Sequence, residues 1–117
     1  MSESRALTEL EESLSRGSAT PDHGAPDREK FLETERSALR GLVISPREVV
    51  AHTIDWVREH GEFDLESYTM VAVAGKDRSW LLFDPSTKEF SLAEGEIEGK
   101  LYLVGFKSRD ALAEWRG

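Results

Sequence analysis

The chain has 117 residues, no cysteine and a formal net charge of -8 at pH 7. Its length fits a single domain, and the lack of thiols excludes disulfides, thiolate catalysis and cysteine-based metal centres. The acidic balance disfavours nucleic acids and anionic membranes as partners, because phosphate groups are bound mainly by lysine and arginine. No apolar run approaches the roughly 18–20 residues that cross a bilayer, and Met1–Leu10 lacks the apolar core of a signal peptide, so a cytoplasmic protein is expected.

The N-terminal part of the chain, residues 1–26, is predicted to be a flexible acidic segment, and residues 27–117 to form a single α+β domain. Proline and glycine are concentrated in Ser15–Pro26, which is typical of a linker. Before this linker, a helical spacing of apolar residues predicts a short amphipathic helix that docks elsewhere: Ala6, Leu7, Leu10 and Leu14. In isolation such a helix falls below the ~12–15 residues at which helices become stable in water.

Two further helices are predicted before the first strand. Asp27 is positioned to cap a helix that runs to about Arg40. The four residues that begin at Ser45 have the pattern of a capping box, with proline at the first helical position. They predict a second helix, Pro46–His60, which carries a stripe of valine and isoleucine and ends at a left-handed Gly61.

Strand-forming residues and turn sequences alternate between Glu66 and Phe106, which predicts an antiparallel meander of three or four strands. The expected strands are Ser67–Ala74, Ser79–Asp84, Glu89–Ala93 and Lys100–Phe106. Ser108 then caps a short closing helix, Arg109–Trp115. The predicted fold class is α+β, with two N-terminal helices packed on the sheet and a short C-terminal helix.

The strands differ in the number of their apolar faces. The first two are apolar on both alternating sets, so both of their faces should be covered, one of them by the early helices. The second cover could be the closing helix, the N-terminal segment or a second copy of the protein. Glu89–Ala93 has Phe90 and Leu92 on one set and is predicted to expose the other.

No catalytic or nucleotide-binding motif is recognisable, so a binding protein is favoured over an enzyme, and no cofactor is expected. Within the predicted helix Pro46–His60, three side chains suited to metal coordination share one helical face, namely His52, Asp55 and Glu59. The alternative is a solvated helix face opposite the apolar stripe. This alternative is favoured, because one helix supplies too few ligands for a metal ion.

Aromatic side chains supply the first candidates for a binding surface. Trp56, Trp80 and Trp115 predict a core with large aromatic anchors, unless one of them is exposed and marks an interface. Trp80 and Tyr102 are the aromatic residues that we select as candidates for binding.

Acidic side chains supply the second set of candidates. Glu94, Glu96 and Glu98 alternate in a predicted loop between the last two strands. They could form an acidic patch that faces a basic protein. The alternative is a solvated loop without a partner, which is common because charged side chains are usually exposed to solvent.

The last hairpin and the closing helix resemble the C-terminal half of the SUKH superfamily, which includes many bacterial immunity proteins that bind and neutralise toxins. The matching residues of the hairpin are Asp84, Pro85 and Thr87. Those of the last strand and the closing helix are Phe106, Ser108, Leu112 and Trp115. The resemblance implies a small α+β domain that binds another protein.

These observations predict a small acidic, non-enzymatic protein-binding module, with an antitoxin or immunity-type inhibitor as one form and a basic protein as the partner. One alternative is a small-ligand domain or an enzyme, with a pocket between sheet and helices lined by Tyr68, Tyr102 or His52. A second alternative is a homodimeric accessory protein that associates through an open edge or face of its sheet.

Overall fold

The computed structural model of the chain describes residues 2–16 and 27–116. Its elements, in chain order, are α1 Ser2–Ser15, α2 Arg28–Arg40, β1 Val43–His52, α3 Asp55–His60, β2 Ser67–Lys76, β3 Ser79–Asp84, β4 Glu89–Gly95, β5 Leu101–Leu103 and α4 Ala111–Arg116. The linker predicted for Ser15–Pro26 lies outside the described residues from position 17 onward. The predicted domain division at residue 26 therefore stays a prediction.

The predicted α+β class is confirmed, with helices at the N-terminus and a short helix at the C-terminus, but the sheet has five strands. These strands follow one another around a closed barrel in the order β1-β2-β3-β4-β5. Successive antiparallel pairs reverse the chain each time, so the first and fifth strands of a meander point the same way. The barrel accordingly closes through a parallel pair, in which Ala51 is opposite Leu101 and His52 is opposite Tyr102.

The additional strand is β1, which replaces most of the helix predicted for Pro46–His60. That prediction was wrong up to His52, because the segment pairs with β2 along most of its length. Its valines suit both structures, since β-branched side chains also fit a pleated surface. Pro46 lies in the register shift just before Arg47, where a residue without an N–H removes no ladder hydrogen bond. Only Asp55–His60 is helical.

Gly61 ends α3 as predicted, but with φ at -93° it is not in the left-handed conformation. Glycine is needed there for a different reason. A Cβ at Gly61 would lie 2.7 Å from the carbonyl oxygen of Gly105. The chain that follows β5 therefore passes directly against the end of α3, and Glu62 N donates to the same carbonyl oxygen at 2.8 Å.

The buried side chains form two clusters, one on each side of the barrel wall. The inner cluster fills the barrel and consists of Val49, Ala51, Val57, Phe63, Met70, Ala72, Leu82, Ala93, Leu101 and Leu103. The outer cluster lies between the wall and the helices and consists of Ala6, Leu10, Leu14, Leu32, Leu39, Val71, Val73, Ala74, Leu81, Phe83, Phe90, Ala111 and Leu112. Both alternating sets of β2 and β3 are thus buried, and helices of this chain provide the second cover.

The prediction that Glu89–Ala93 exposes one side was wrong, because the sheet closes on itself. Ser91 and Ala93 belong to the set of side chains that was predicted to be exposed, and both are buried. Ala93 belongs to the inner cluster, where small side chains suit the limited space of a narrow barrel. Phe90, on the opposite set, is buried in the outer cluster.

The helix predicted near the N-terminus is present as α1, and it packs on β1, β2 and α4. Of its predicted apolar positions, Ala6, Leu10 and Leu14 are buried. Ser13 is also buried: its Oγ donates to the carbonyl oxygen of Arg109 at 2.8 Å and accepts from the N–H of Ala111 at 2.8 Å. We call this pair of hydrogen bonds the Ser13 clasp. It joins α1 to the beginning of α4.

Candidate functional site

The helices cover the outer wall of the barrel unevenly. Among the described residues, α1 packs on β1 and β2, α4 packs on β3 and β4, and β5 receives no comparable helix contact. Burial alternates along residues 101–106, which predicts that every second side chain points outward. The outward set is Tyr102, Val104 and Phe106, which are 40%, 39% and 53% exposed. We call these three residues the β5 stripe.

Aromatic side chains from neighbouring elements border the β5 stripe. His52 of β1 is opposite Tyr102, and the two ring centroids are 6.0 Å apart. Trp56 of α3 is 52% exposed and lies beside Gly105, since a Cβ built on that glycine would be 3.9 Å from the indole ring. His60 stacks on Trp56, with ring centroids 5.2 Å apart. The exposed surface is therefore broader than β5 alone.

The Tyr102 end of the stripe borders a polar cleft. Glu94 of β4 is the register partner of Tyr102. The cleft has a volume of about 770 Å³ and is lined by charged side chains and one aromatic ring, including Asp77, Arg78, Glu94, Glu96, Lys100 and Tyr102. The structure thus brings together three of the residues predicted to bind a partner: Tyr102, Glu94 and Glu96.

Ion pairs neutralise much of the predicted acidic patch. Glu96 pairs with Arg78 at 3.1 Å, and Glu98 pairs with Arg47 at 3.6 Å. Such exposed pairs add little stability, but they compensate the charge of each glutamate. Within residues 2–16 and 27–116, Glu94 has no ion-pair partner. It is therefore the member of the patch that presents its charge beside the β5 stripe.

Trp80, the second residue of β3, is partly buried and packs within the fold. Its ring lies against the cross-strand partner Gly75, where a Cβ would be only 2.2 Å away. Its Nε1 donates to the carbonyl oxygen of Gly95 at 3.1 Å, and the side chain packs against the inner cluster. Trp115 packs against the outer cluster. Of the three tryptophans, Trp56 is thus the one that the surface presents.

The Phe106 end of the stripe borders an apolar pocket of about 270 Å³, lined by Leu92, Val104, Phe106 and Glu114. We call it the Glu114 pocket. Val104 N donates to the carbonyl oxygen of Leu92 at 3.0 Å, which holds two of the walls together. Ser108 Oγ donates to Oε2 of Glu114 at 2.7 Å. The other carboxylate oxygen of Glu114 has no hydrogen-bond partner in the described part of the chain.

Burial raises the pKa of the Glu114 carboxyl above its usual value. The hydrogen bond from Ser108 opposes this rise, because it stabilises the ionised form. Nearby carboxylates reinforce the rise in pKa, namely Glu62, Asp110 and Glu89. Glu114 is therefore a carboxylate whose negative charge lacks compensation in this structure.

The candidate metal ligands do not share a helical face. His52 ends β1, whereas Asp55 begins α3 and Glu59 follows within it. Asp55 pairs with Arg58, which further reduces its availability. In the described ranges, no group of three His, Asp or Glu side chains is arranged to hold a metal ion. The spacing argument was wrong because it required a helix at His52.

Of the three residues proposed to line a small-ligand pocket, Tyr68 lies apart from the other two, because it packs against the inner cluster. Tyr68 orders the loop before its own strand: its hydroxyl accepts from the N–H groups of Asp64 and Leu65 at 2.9 and 3.0 Å and donates to the Asp64 carboxylate. His52 and Tyr102 instead contact each other at the β5 stripe.

Sequence reasoning named Trp56 only as one of three tryptophans that could mark an interface, and it did not select Val104, Phe106 or Glu114 as members of a site. The signal for two of them was present in the predicted strand Lys100–Phe106. Its outward set is large and apolar, yet no element of the sequence was assigned to cover it. Glu114 could not be found in this way, because its position depends on how α4 meets the barrel.

Comparisons with protein-family models, with curated proteins and with solved structures find no match to this chain. In the described part of the chain, no helix is both long enough and apolar enough to cross a membrane. The resemblance to the SUKH superfamily stays a prediction.

Proposed function

We propose that the protein is a non-enzymatic binding module that docks a basic protein on the β5 stripe. One observation carries this proposal. The stripe is apolar and exposed, and each of its ends meets a carboxylate that has no ion-pair partner among the described residues: Glu94 at Tyr102 and Glu114 at Phe106. Exposed tyrosine, tryptophan and phenylalanine side chains are enriched at the centres of protein interfaces.

Charge favours a basic partner over a second copy of this chain. The net charge is -8, so two copies that met through the stripe would bring like charges together. A basic surface would instead find Glu94 and Glu114 placed on either side of an apolar contact. Complementary charges of this kind accelerate association and exclude wrong partners.

An inhibitor of a basic enzyme is one form of this function. The resemblance of the last hairpin and the closing helix to immunity proteins supports that form. Phe106 belongs both to the β5 stripe and to the residues that carry the resemblance, so the proposed contact surface and the resembling segment overlap there.

Photocrosslinking in the cells that produce the protein tests the proposal. A photoreactive phenylalanine analogue replaces Tyr102 in the full chain, and the control places the same analogue at Thr34, an exposed residue of α2. We expect an adduct with a basic protein from position 102 and none from position 34. No adduct at 102, equal adducts from both positions, or adducts with a second copy alone would contradict the proposal.

The affinity of the recovered complex gives a quantitative check. Tyr102→Ala should weaken binding by about 2 kcal/mol or more, roughly 30-fold, because an exposed aromatic anchor of the interface is removed. Thr34→Ala should leave the affinity unchanged. A calorimetric titration of both variants measures the difference.

A further inference from the structure

The Glu114 pocket is of a size that suits one side chain. Its volume of about 270 Å³ lies below the roughly 300–1,000 Å³ that is usual for sites that enclose small-molecule ligands. Leu92, Val104 and Phe106 provide apolar walls, and Glu114 provides the carboxylate. The pocket also continues the β5 stripe, since Val104 and Phe106 belong to both. A molecule docked on the stripe would therefore place a side chain in the pocket.

The charges around the pocket favour a cation. Three further carboxylates, those of Glu62, Asp110 and Glu89, raise the local negative potential at Glu114. Lys107, the residue after Phe106, is engaged by other groups: its Nζ is 3.8 Å from Glu89 and 5.4 Å from the centre of the Phe63 ring. Glu114 itself forms no ion pair within the described ranges.

An apolar occupant would destabilise the ionised carboxylate of Glu114. It would remove water from Glu114 without replacing the lost solvation, which makes burial of a charge unfavourable. A cationic occupant would compensate the charge as it displaces the water. The raised pKa of Glu114 agrees with this, because burial makes the ionised form less well solvated than it is in water.

The hydrogen bonding of Glu114 distinguishes between the two basic side chains. Oε2 already accepts from Ser108, so Oε1 is the oxygen whose lone pairs are both open to a ligand, and a ligand that uses both oxygens would have to share Oε2 with Ser108. The guanidinium group of arginine binds carboxylates best through two parallel hydrogen bonds, which require both oxygens. The ammonium group of lysine is a compact charge on a flexible apolar stem and needs one oxygen.

We infer that the Glu114 pocket receives a lysine side chain of the docked protein, with its methylene groups against the apolar walls and its ammonium group on Glu114. The inference rests on the proposed function for the identity of the molecule that carries the lysine. To the proposed function it adds that the partner must present a lysine near the Phe106 end of the stripe.

Titration of the full chain with short peptides, followed by NMR at pH 7.5, tests this inference. The probes are the acetylated and amidated tripeptides Gly-Lys-Gly, Gly-Arg-Gly and Gly-norleucine-Gly, which share a backbone and differ in the central side chain. We expect the lysine peptide to shift the methyl signals of Leu92 and Val104 and to bind at least about tenfold more tightly than the norleucine peptide, as a charged hydrogen bond provides. The arginine peptide should bind more weakly than the lysine peptide.

Two variants assign the effect to the pocket. Glu114→Gln keeps the size of the side chain and an oxygen for Ser108 but removes the charge, so lysine binding should fall to the norleucine level. Glu29→Gln removes an exposed carboxylate of α2, outside the stripe and the pocket, and should leave lysine binding unchanged. Phe106→Ala removes a wall and should weaken both the lysine and the norleucine peptide.

Several results would overturn the inference. These are no saturable shift with the lysine peptide, equal affinity for norleucine or arginine, or undiminished lysine binding by Glu114→Gln. The titration contains no partner protein, so such a failure leaves the crosslinking result at position 102 unaffected. Conversely, an absent crosslink together with selective lysine binding would reject the docking proposal and retain the pocket.

Discussion

The outer wall of the barrel has two regions with similar apolar side chains, one of which is buried and the other exposed. Over β2 and β3 it carries large apolar side chains that are completely covered by helices, such as Phe83. Along β5 and the residues that follow it, the wall carries large apolar side chains that remain exposed, such as Phe106 at 53%. Both regions follow the same strand alternation, so the strand sequences alone do not distinguish them. The difference comes from where the described helices lie, and it separates apolar surface that stabilises the fold from apolar surface that is available to a partner.

The largest expected effect comes from truncating the two phenylalanines. Phe83→Ala should lower the free energy of unfolding by about 3–5 kcal/mol, because it removes a buried ring and leaves a cavity. Phe106→Ala should change it by less than about 1 kcal/mol, since half of that ring is already in water. Chemical denaturation of both variants measures the contrast. Equal losses would mean that the β5 stripe is part of the core.

The contribution of α1 to the covered region gives the next effect. Leu10→Ala should destabilise the protein by about 2–5 kcal/mol, because Leu10 is buried between α1 and the barrel wall. The matched control is Leu65→Ala, at a leucine that is 57% exposed, with an expected change within about 0.5 kcal/mol. If α1 were undocked in solution, denaturation curves of both variants would coincide with that of the parent chain.

The Ser13 clasp should contribute less than the leucines. Ser13→Ala removes both hydrogen bonds and leaves the buried N–H of Ala111 without its partner, which should cost about 1–3 kcal/mol. The control is Ser15→Ala, at an exposed serine that bonds within its own helix. Thermal unfolding of the two variants compares them. A Ser13 variant as stable as the Ser15 variant would show that the clasp adds nothing.

The smallest expected effect is the pH-dependent contribution of Glu114 to stability. Well below pH 4.5, the usual pKa of such a carboxyl, the side chain is protonated in both folded and unfolded chains. As the pH rises through the raised pKa of the folded state, the folded chain loses the stability that the protonated form provided. Glu114→Gln should therefore be more stable than the parent chain at pH 7 and equally stable near pH 4.

Melting temperatures recorded across this pH range check the last prediction. The control is Glu94→Gln, an exposed carboxylate on the same outer wall, whose difference from the parent chain at pH 7 should be smaller. A Glu114→Gln difference that grows toward acid pH would have the wrong sign and would reject this account of Glu114.

The strand and helix boundaries that the local sequence determines were predicted well. β3 was predicted at its observed limits, Ser79–Asp84, because turn sequences lie on both sides of a continuous apolar run. Helix α2 begins after Asp27, whose side chain accepts from the N–H of Lys30 as an N-cap should. In both cases the residues that decide the structure are neighbours in the chain.

The features that were missed depend on residues far apart in the chain. β1 has the local pattern of a helix start, and its pairing with β2 overrides that pattern. Closure of the barrel joins Ala51 to Leu101, a contact for which no local signal exists. The candidate site shares this limit: Tyr102 and Glu94 could be selected from composition, whereas the exposure of Phe106 depends on which strands the helices cover.

The Ser13 clasp also has a consequence for the order of events during synthesis. The ribosome releases α1 well before Arg109 and Ala111, to which Ser13 bonds and which follow it by 96 and 98 residues. Until then Leu10 and Leu14 have no complete surface on which to pack, and contacts between residues so distant in sequence form late. A nascent chain halted before α4 should therefore carry an exposed leucine face on α1, which is the kind of surface that chaperones recognise.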